Sequence, residues 1–365
     1  MILVCSISGV AEDDSEGYLQ VTGPCGLEFP RDHGAHPGYR TEWWYYTGNL
    51  ASEGGRLFGF QFTIFRSQIS PPADEGNPTQ PGSAWRTKQV YFGHLAISDL
   101  AGGRHWQAEE ISRGALGMAG ARQKEGRTRI WLHDWSVRIE PDGHHLSAET
   151  PQFDIHLRLS PMKPVVLHGE DGYSRKGSSA GRASCYYSFT RMAASGKLTI
   201  GAQEFSVRGQ SWMDHEFSTA LLEPGIVGWD WFSLQLSDNT EIMFFLLRTD
   251  SGGLHPASGG TFVDPGGRPT PLDLRSVTLT VLDRWKSPHT DAVYPSRWRL
   301  QLDSRGIDLA VVSNLADQEM RTEKTTGTVY WEGSVSVDGR SGSRDVTGAG
   351  YMELTGYAEA FDKPL

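Results

Sequence analysis

The sequence predicts an all-β protein folded as two packed antiparallel β-barrels or curved sandwiches, and three observations carry that prediction. Short runs rich in aromatic and β-branched residues recur along the chain, and Gly, Asp or Pro punctuates most of the gaps between them. Amphipathic helical periodicity is poor throughout. The best window, Leu315 to Lys324, sits between strand candidates and leaves room for a turn or two of helix at most. Neither half repeats itself with the period of about 20–50 residues that marks a propeller or solenoid. With 365 residues the chain is long enough for two domains, and its 12 Trp, 12 Tyr, 15 Phe and 43 Gly suit many short strands joined by tight turns.

The first expected element is a hairpin. Glu42 to Leu50 is dense in aromatics and breaks at Ser52-Glu53-Gly54-Gly55, after which Leu57 to Phe65 resumes with alternation around Gln61 and Thr63. Further strands are expected at 89–98, 128–140, 153–159, 184–191, 197–200 and 204–213. Beyond a junction near Leu221-Leu222-Glu223-Pro224-Gly225 they are expected at 229–236, 241–248, 276–283, 297–302, 308–313, 328–336 and 350–357. This divides the chain into an N-terminal segment over 1–26, one domain over 27–220 and a second over 221–365. Two strand-poor stretches, Ser70 to Trp85 and Leu167 to Ala183, have the length and polarity of lids or rims of a site.

Thirty-four basic against 44 acidic side chains leave a net charge of −10 without a basic run, which argues against nucleic acid or an anionic membrane as the principal partner. No apolar run reaches the length of a membrane-spanning helix. Cys5, Cys25 and Cys185 follow neither zinc-ribbon nor disulfide-framework spacing, the odd count allows at most one bridge, and Cys185 reads as a buried thiol in a strand. Met1 to Ala11 is apolar but lacks the basic opening of a secretory signal, while Glu12 to Gly17 resembles the exposed start of an exported protein. The expectation is a periplasmic or secreted protein, with cytoplasmic residence open if no signal lies upstream.

Three constellations could carry chemistry. His33 and His36 flank a loop beside Asp32; hydrogen bonding that fixes the loop is favoured over a metal, for which no second ligand cluster is obvious. Trp43 and Trp44 point to opposite faces of one strand, and the aromatic density around them exceeds what a narrow barrel needs, which points to an apolar ligand cavity. Asp214-His215-Glu216 follows Trp212 at a strand end, with Trp229-Asp230-Trp231 shortly after. A carboxyl walled by tryptophans is desolvated, which raises its pKa and fits it to serve as a general acid, although structural ion pairs use the same residues. No GxSxG nucleophile elbow occurs.

The motifs also form a familiar series. Phe29-Pro30-Arg31-Asp32-His33-Gly34-Ala35-His36-Pro37, Thr41-Glu42-Trp43-Trp44-Tyr45, Leu167-His168-Gly169, Tyr186-Tyr187-Ser188, Ser211 to Phe217, Gly228 to Phe232, Tyr330-Trp331-Glu332-Gly333 and Gly350 to Tyr357 follow in order. Over about residues 27 to 360 the chain resembles the AttH-type lipocalin-like proteins, which are grouped with carotenoid 1,2-hydratase (hydroxyneurosporene synthase). The resemblance implies two lipocalin-like barrels with a hydrophobic site near their junction. It implies either of two functions: acid-assisted hydration of a double bond in an isoprenoid- or polyketide-like ligand, or non-catalytic carriage of a lipid or polyene with an ABC-type transporter as partner. A secreted hydrolase is a third family label, and the residues offer it no nucleophile.

On this reading Asp214, His215 and Asp230 are the candidate catalytic residues. Trp43, Trp44, Tyr187, Trp212, Trp229, Trp231 and Trp331 are the candidate ligand-binding residues, and no metal or cofactor is expected. Phe217 stands where the hydratase branch is expected to carry Trp. Alternation along the strand requires Trp229 and Trp231 on one face and Asp230 on the other, so one set at most lines the cavity.

Overall fold

The computed structural model describes residues 17–72, 87–220 and 222–361. Met1 to Ala11, the acidic start up to Glu16, the first expected lid from residue 73 to its end at Trp85, and Leu221 at the expected junction lie outside the described residues.

The first sheet holds β1 (Thr41–Ser52), β2 (Leu57–Gln68), β3 (Gln89–Asp99), β4 (Arg104–Arg113), β5 (Ala119–Lys124), β6 (Arg127–Leu132) and β7 (Trp135–Glu140). It continues with β8 (Gly143–Glu149), β9 (Phe153–Pro161), β10 (Val166–Leu167), β11 (Tyr173–Arg175), β12 (Ala183–Ile200) and β13 (Gln203–Ser218). The antiparallel order is β4-β3-β2-β1-β13-β12-β9-β8-β7-β6-β5, with β10 and β11 on β12. β3 packs against β5 and β6, so this sheet curls into a nearly closed barrel.

The second sheet holds β14 (Ile226–Leu236), β15 (Glu241–Thr249), β16 (Gly259–Val263), β17 (Pro269–Asp273) and β18 (Thr278–Lys286). It is completed by β19 (Val293–Leu302), β20 (Ile307–Ser313), β21 (Glu319–Thr322), β22 (Thr328–Ser341) and β23 (Arg344–Thr355). Its order, β17-β16-β15-β14-β23-β22-β20-β19-β18 with β21 on β22, forms a half-barrel. Helix among the described residues is limited to single 3-10 turns at Arg31–His33 and Asp303–Arg305.

Several sequence expectations change. The window proposed for a helical turn, Leu315 to Lys324, contains strand β21, because Glu319 to Thr322 satisfy their backbone groups by pairing with Thr328 to Trp331. The run 128–140 is two strands, divided at His133, whose backbone turns left-handed at φ 52°. The runs 184–191 and 197–200 are one strand, β12, with a bulge between Phe189 and Met192. Sequence patterning missed β4, β5 and β17, which lie at sheet ends, and also the interior strands β8 and β16 and the short β10 and β11. β4 is mostly polar and half-exposed, and β17 carries Pro269 and Pro271, which edge pairing tolerates. Cys185 is not a free thiol. The segment before the first turn crosses β11 and β12, the Cys25 amide donates to the Asp171 carbonyl, and Cys25 and Cys185 form a disulfide across 160 residues of sequence.

Strand alternation sorts most of the apolar side chains into three large cores, beside two small clusters around Phe217 and around Met320. Trp44, Tyr46, Phe58, Phe60, Phe62 and Ile64 fill the first barrel, while Phe232, Leu234, Trp298, Leu300, Trp331 and Met352 fill the second sheet's concave side. The third core lies between the sheets, where Tyr45, Tyr186, Trp212, Trp231, Phe245 and Tyr351 meet. Each fully buried aromatic there contributes roughly 1.5–3 kcal/mol of transfer free energy. Gly59 lets the sheets close, since a Cβ at that position would stand 2.9 Å from Ser334 Cβ and 3.2 Å from the Tyr351 hydroxyl. Polar links fasten the same junction. Lys163 Nζ donates to Glu241 Oε2 at 2.8 Å, Arg191 Nε donates to Glu241 Oε1 at 2.5 Å, and Asn49 Nδ2 donates to the Gly350 carbonyl at 3.0 Å.

Candidate active site between the two sheets

The period-2 alternation of β13 decides where its polar cluster goes. Asp214 and Glu216 face outward from the first barrel toward the second sheet, while His215 and Phe217 face the opposite way. The same alternation on β1 sends Trp43 and Tyr45 outward and Trp44 inward, and on β14 it sends Trp229 and Trp231 toward the first sheet and Asp230 away from it. The outward faces enclose a chamber of about 190 Å³. Trp43, Phe65, Trp229, Trp231 and Phe245 give it aromatic walls, and Asp214, Glu216, Glu332 and Glu353 give it four carboxyl groups. Trp43, Lys176, Leu222 and Trp229 are half-buried, so the chamber meets solvent on their side.

Those carboxyls come from different strands by register. Tyr45 of β1 stands opposite Asp214 and Trp43 opposite Glu216, while Glu332 of β22 stands opposite Glu353 of β23. Two like charges directly opposite one another are unfavourable, so the second pair is built for protonated groups. Burial holds the Glu332 carboxyl well above the usual carboxylate range, Glu353 adds to the rise, and the Tyr45 hydroxyl, donating to Glu332 Oε1 at 2.5 Å, opposes it. Burial pushes Glu353 up to about 7, with Thr355 and Trp229 pulling the other way. Burial also pushes Asp214 up to about 7 against hydrogen bonds from Ser188, Trp212 and Tyr186. Trp212 Nε1 donates to Asp214 Oδ1 at 2.6 Å and the Tyr186 hydroxyl to Oδ2 at 2.8 Å. Ser188 Oγ also contacts Oδ1 and is hydrogen-bonded to His168 Nε2 at 2.6 Å. Burial depresses the His168 imidazole to about 3, so it is neutral at pH 7.

Glu216 differs from its neighbours because Lys176 Nζ lies 3.0 Å from its Oε1. Lys176 comes from the polar loop expected to rim the site. Its ammonium sits over the Tyr186 and Phe245 rings, 5.0 and 4.5 Å from their centroids. The chamber thus combines one ion pair, three carboxyls biased toward the neutral form and a set of aromatic faces.

On the other side of β13, inside the first barrel, a second polar cluster forms. His215 Nε2 and His36 Nδ1 are hydrogen-bonded to Glu42 Oε1 at 2.8 and 2.7 Å, and Arg66 Nε donates to Glu42 Oε2 at 2.8 Å. The Tyr187 hydroxyl bridges His215 Nδ1 and His33 Nδ1 at 2.9 and 2.7 Å. Burial would raise Glu42, yet Arg66 and the two histidines hold it well below the usual carboxylate range. His36, Glu42 and His215 are grouped closely enough to hold a metal ion, but their donor atoms already share one carboxylate oxygen beside an arginine, the arrangement of a compensated hydrogen-bond network.

The placement of the sequence candidates follows. Asp214, Trp43, Trp229 and Trp231 meet at the chamber, and Trp212 supports it from behind by binding Asp214 and packing edge-on to Trp231. His215, Trp44 and Tyr187 lie inside the first barrel, Trp44 stacking on His215 at 4.9 Å. Trp331 lies in the second core with its Nε1 donating to the Ala316 carbonyl at 2.7 Å. Asp230 binds Arg248 Nε at 3.0 Å and the Tyr357 hydroxyl at 3.0 Å, away from the chamber. Phe217, the departure from the hydratase pattern, stacks on His36 at 3.6 Å in a small cluster with Val21, Ala183 and Cys185 rather than lining the chamber. Sequence reasoning did not single out Tyr45, Lys176, Tyr186, Glu332 or Glu353. Period-2 spacing of Glu332 with Tyr330, and of Glu353 with Tyr351, was the available signal.

This is a two-sheet, lipocalin-like β protein with an acidic aromatic chamber between its halves. The chain belongs to the AttH-like family, whose profile matches residues 20–357. It is similar to the crystal structure of a putative AttH from Nitrosomonas europaea, at 33% identity and TM-score 0.81, covering 93% of this chain and 99% of that one. Kievitone hydratase from Nectria haematococca has the same fold at 13% identity and TM-score 0.70, covering 94% of this chain and 98% of its own. CghA, solved with Sch210972, matches in fold at 13% identity and TM-score 0.52, covering 87% of this chain and 88% of its own. No curated protein matches the chain.

Proposed function

We propose that the protein is a hydratase-like acid catalyst that holds an apolar isoprenoid- or polyketide-like molecule in the chamber and adds water across a double bond. The observation that carries this reading is the meeting of Asp214, Glu332 and Glu353, all biased toward the neutral form by burial, with the faces of Trp43, Trp229 and Trp231. A proton passes from the Asp214 carboxyl to one alkene carbon, and the π electrons form the new C–H bond. The cation left on the other carbon is stabilised by the aromatic faces and by the new carboxylate. Water then bonds to that carbon and its proton returns to Asp214, so the net change is one water. Glu216 with Lys176 is assigned to hold the water at the open side. The fold shared with a hydratase supports the same reading.

A non-catalytic carrier working with an ABC-type transporter needs the chamber but no acids, so the three raised carboxyls favour the enzyme. We place the protein in the periplasm or outside the cell; the Cys25–Cys185 disulfide supports this, since cytosolic thiols stay reduced.

The test uses native mass spectrometry of protein purified without detergent, followed by incubation of the ligand found with wild type and with Asp214→Asn. The expected result is a product one water heavier from wild type, and retained ligand without product from the variant. Ligand recovered unchanged from both proteins would make this a carrier, and full turnover by Asp214→Asn would remove Asp214 from the mechanism.

A further inference from the structure

The outer wall of the first barrel carries a row of four arginines and one histidine that exists only through strand register. Arg122 of β5 stands opposite Arg129 of β6, Arg129 opposite Arg138 of β7, Arg138 opposite His145 of β8, and His145 opposite Arg158 of β9. The four arginines are exposed. At about 4.8 Å between neighbouring strands the row is roughly 19 Å long. Like charges directly opposite one another destabilise a sheet, so three consecutive arginines are a cost that the fold itself does not require.

Among the described residues, the carboxylates facing the row pair with its Arg138, His145 and Arg158 and leave the Arg122–Arg129 end without one. Glu140 lies 3.4 Å from Arg138 and 3.8 Å from His145, Asp142 lies 3.3 Å from each of His145 and Arg158, and Glu125 lies 3.6 Å from Lys124. The excess of cations is local to β5–β7: residues 119–140 hold five (Arg122, Lys124, Arg127, Arg129, Arg138) against three carboxylates (Glu125, Asp134, Glu140), whereas Asp142, Glu149 and Asp154 balance the wall beyond them. An apolar rim adjoins them. Ile111, Leu116 and Met118 are 45%, 54% and 43% exposed, and the Trp131 ring carries the Arg129 guanidinium 5.4 Å from its centroid. Trp131 Nε1 donates to the Gly117 carbonyl at 2.8 Å, and His133 Nε2 is hydrogen-bonded to the Ile111 carbonyl at 3.4 Å, which joins the rim to the arginine strands.

We propose that this wall docks the protein on an anionic lipid bilayer, with the arginine row against the lipid phosphates and Ile111, Leu116 and Met118 entering the headgroup boundary. Charge complementarity selects an anionic partner, and the apolar rim selects a lipid surface over a nucleic acid, which would leave those side chains in water. The proposal does not depend on the chemistry of the chamber.

The full chain is sedimented with vesicles of phosphatidylcholine alone and of phosphatidylcholine containing about a third phosphatidylglycerol. Binding is expected only to the anionic vesicles, and it weakens as salt shortens the Debye length. At about fivefold per cation, the triple variant Arg122→Gln, Arg129→Gln, Arg138→Gln loses on the order of a hundredfold in partitioning. The Leu116→Ser, Met118→Ser variant binds more weakly with unchanged salt dependence. Should the triple variant unfold, Arg129→Gln alone carries the test with its fivefold loss. Equal binding to both vesicles, undiminished binding by the arginine variants, or tighter binding to a duplex oligonucleotide than to the anionic vesicles at the same salt would each overturn the proposal.

Discussion

Asp214 and His215 are neighbours on one strand, yet they belong to two polar regions held in opposite states. Inside the first barrel, Glu42 is fully buried and stays ionised because Arg66, His36 and His215 bind it from three sides. In the chamber, Glu332 and Glu353 are just as buried but face each other without a cation, and burial biases them toward the neutral form. The first region spends its charges on holding the entry loop, residues 31–40 ahead of β1, to the barrel. The second keeps protons on carboxyls beside aromatic walls, where an apolar molecule fits. Burial alone therefore does not mark a functional carboxyl; what distinguishes the two regions is whether a partner charge is supplied.

The most damaging way to break the contrast is to unbalance the compensated side. Glu42→Gln leaves Arg66 buried without its carboxylate and should cost about 3–5 kcal/mol in denaturant unfolding; a loss within measurement error would show that the network is not compensated as described. Removing the Cys25–Cys185 bridge comes next. It ties the segment leading into the entry loop to β12, so Cys25→Ser with Cys185→Ser should cost about 2–4 kcal/mol in the same measurement.

The pH response sets the buried histidines of both regions against the chamber carboxyls, with opposite signs. Burial depresses His33 to about 4 and His94, His144 and His168 to about 3. Their contribution is complete above the ordinary histidine value of 6.5 and is lost as pH falls through about 4 to 3, so Tm should drop on acidification below 6.5. Asp214 and Glu353 are raised to about 7, so their contribution is complete below their ordinary values of 3.8 and 4.5 and is lost as pH rises through about 7. Relative to wild type, Asp214→Asn with Glu353→Gln should therefore gain in Tm between pH 4.5 and 7, and a flat difference across that range would mean that these carboxyls are already ionised. The smallest effect is expected from Glu353→Gln alone at pH 5, within about 1 kcal/mol of wild type, because an amide there replaces a neutral carboxyl of the same shape.

The fold class was legible because period-2 alternation and Gly, Asp or Pro breaks are local, and they outlined the hairpin at Glu42 to Phe65 and most of the interior strands. Three of the four sheet-end strands were not, β4 and β17 because they bury little and so carry little pattern, and the interior strands β8 and β16 escaped as well. Part of the site was legible as well. Trp229 and Trp231 had to share a face without Asp230, and Asp214 stood out among tryptophans. Trp44, Tyr187 and Trp331 could not be separated from Trp43 by composition, since aromatics of a core and of a cavity look alike until the facing sheet is known.

Local order along the chain thus determined which residues are strands and which side chains share a face, because both follow from the geometry of a single extended backbone. Only the tertiary structure decided which faces meet. Register set Glu332 against Glu353, sheet packing brought them to Asp214, and the packing of the segment ahead of β1 on β12 carried Cys25 to Cys185 across 160 residues. Each is a pairing between distant segments, specified by the summed burial of both sheets rather than by any signal in the segments themselves.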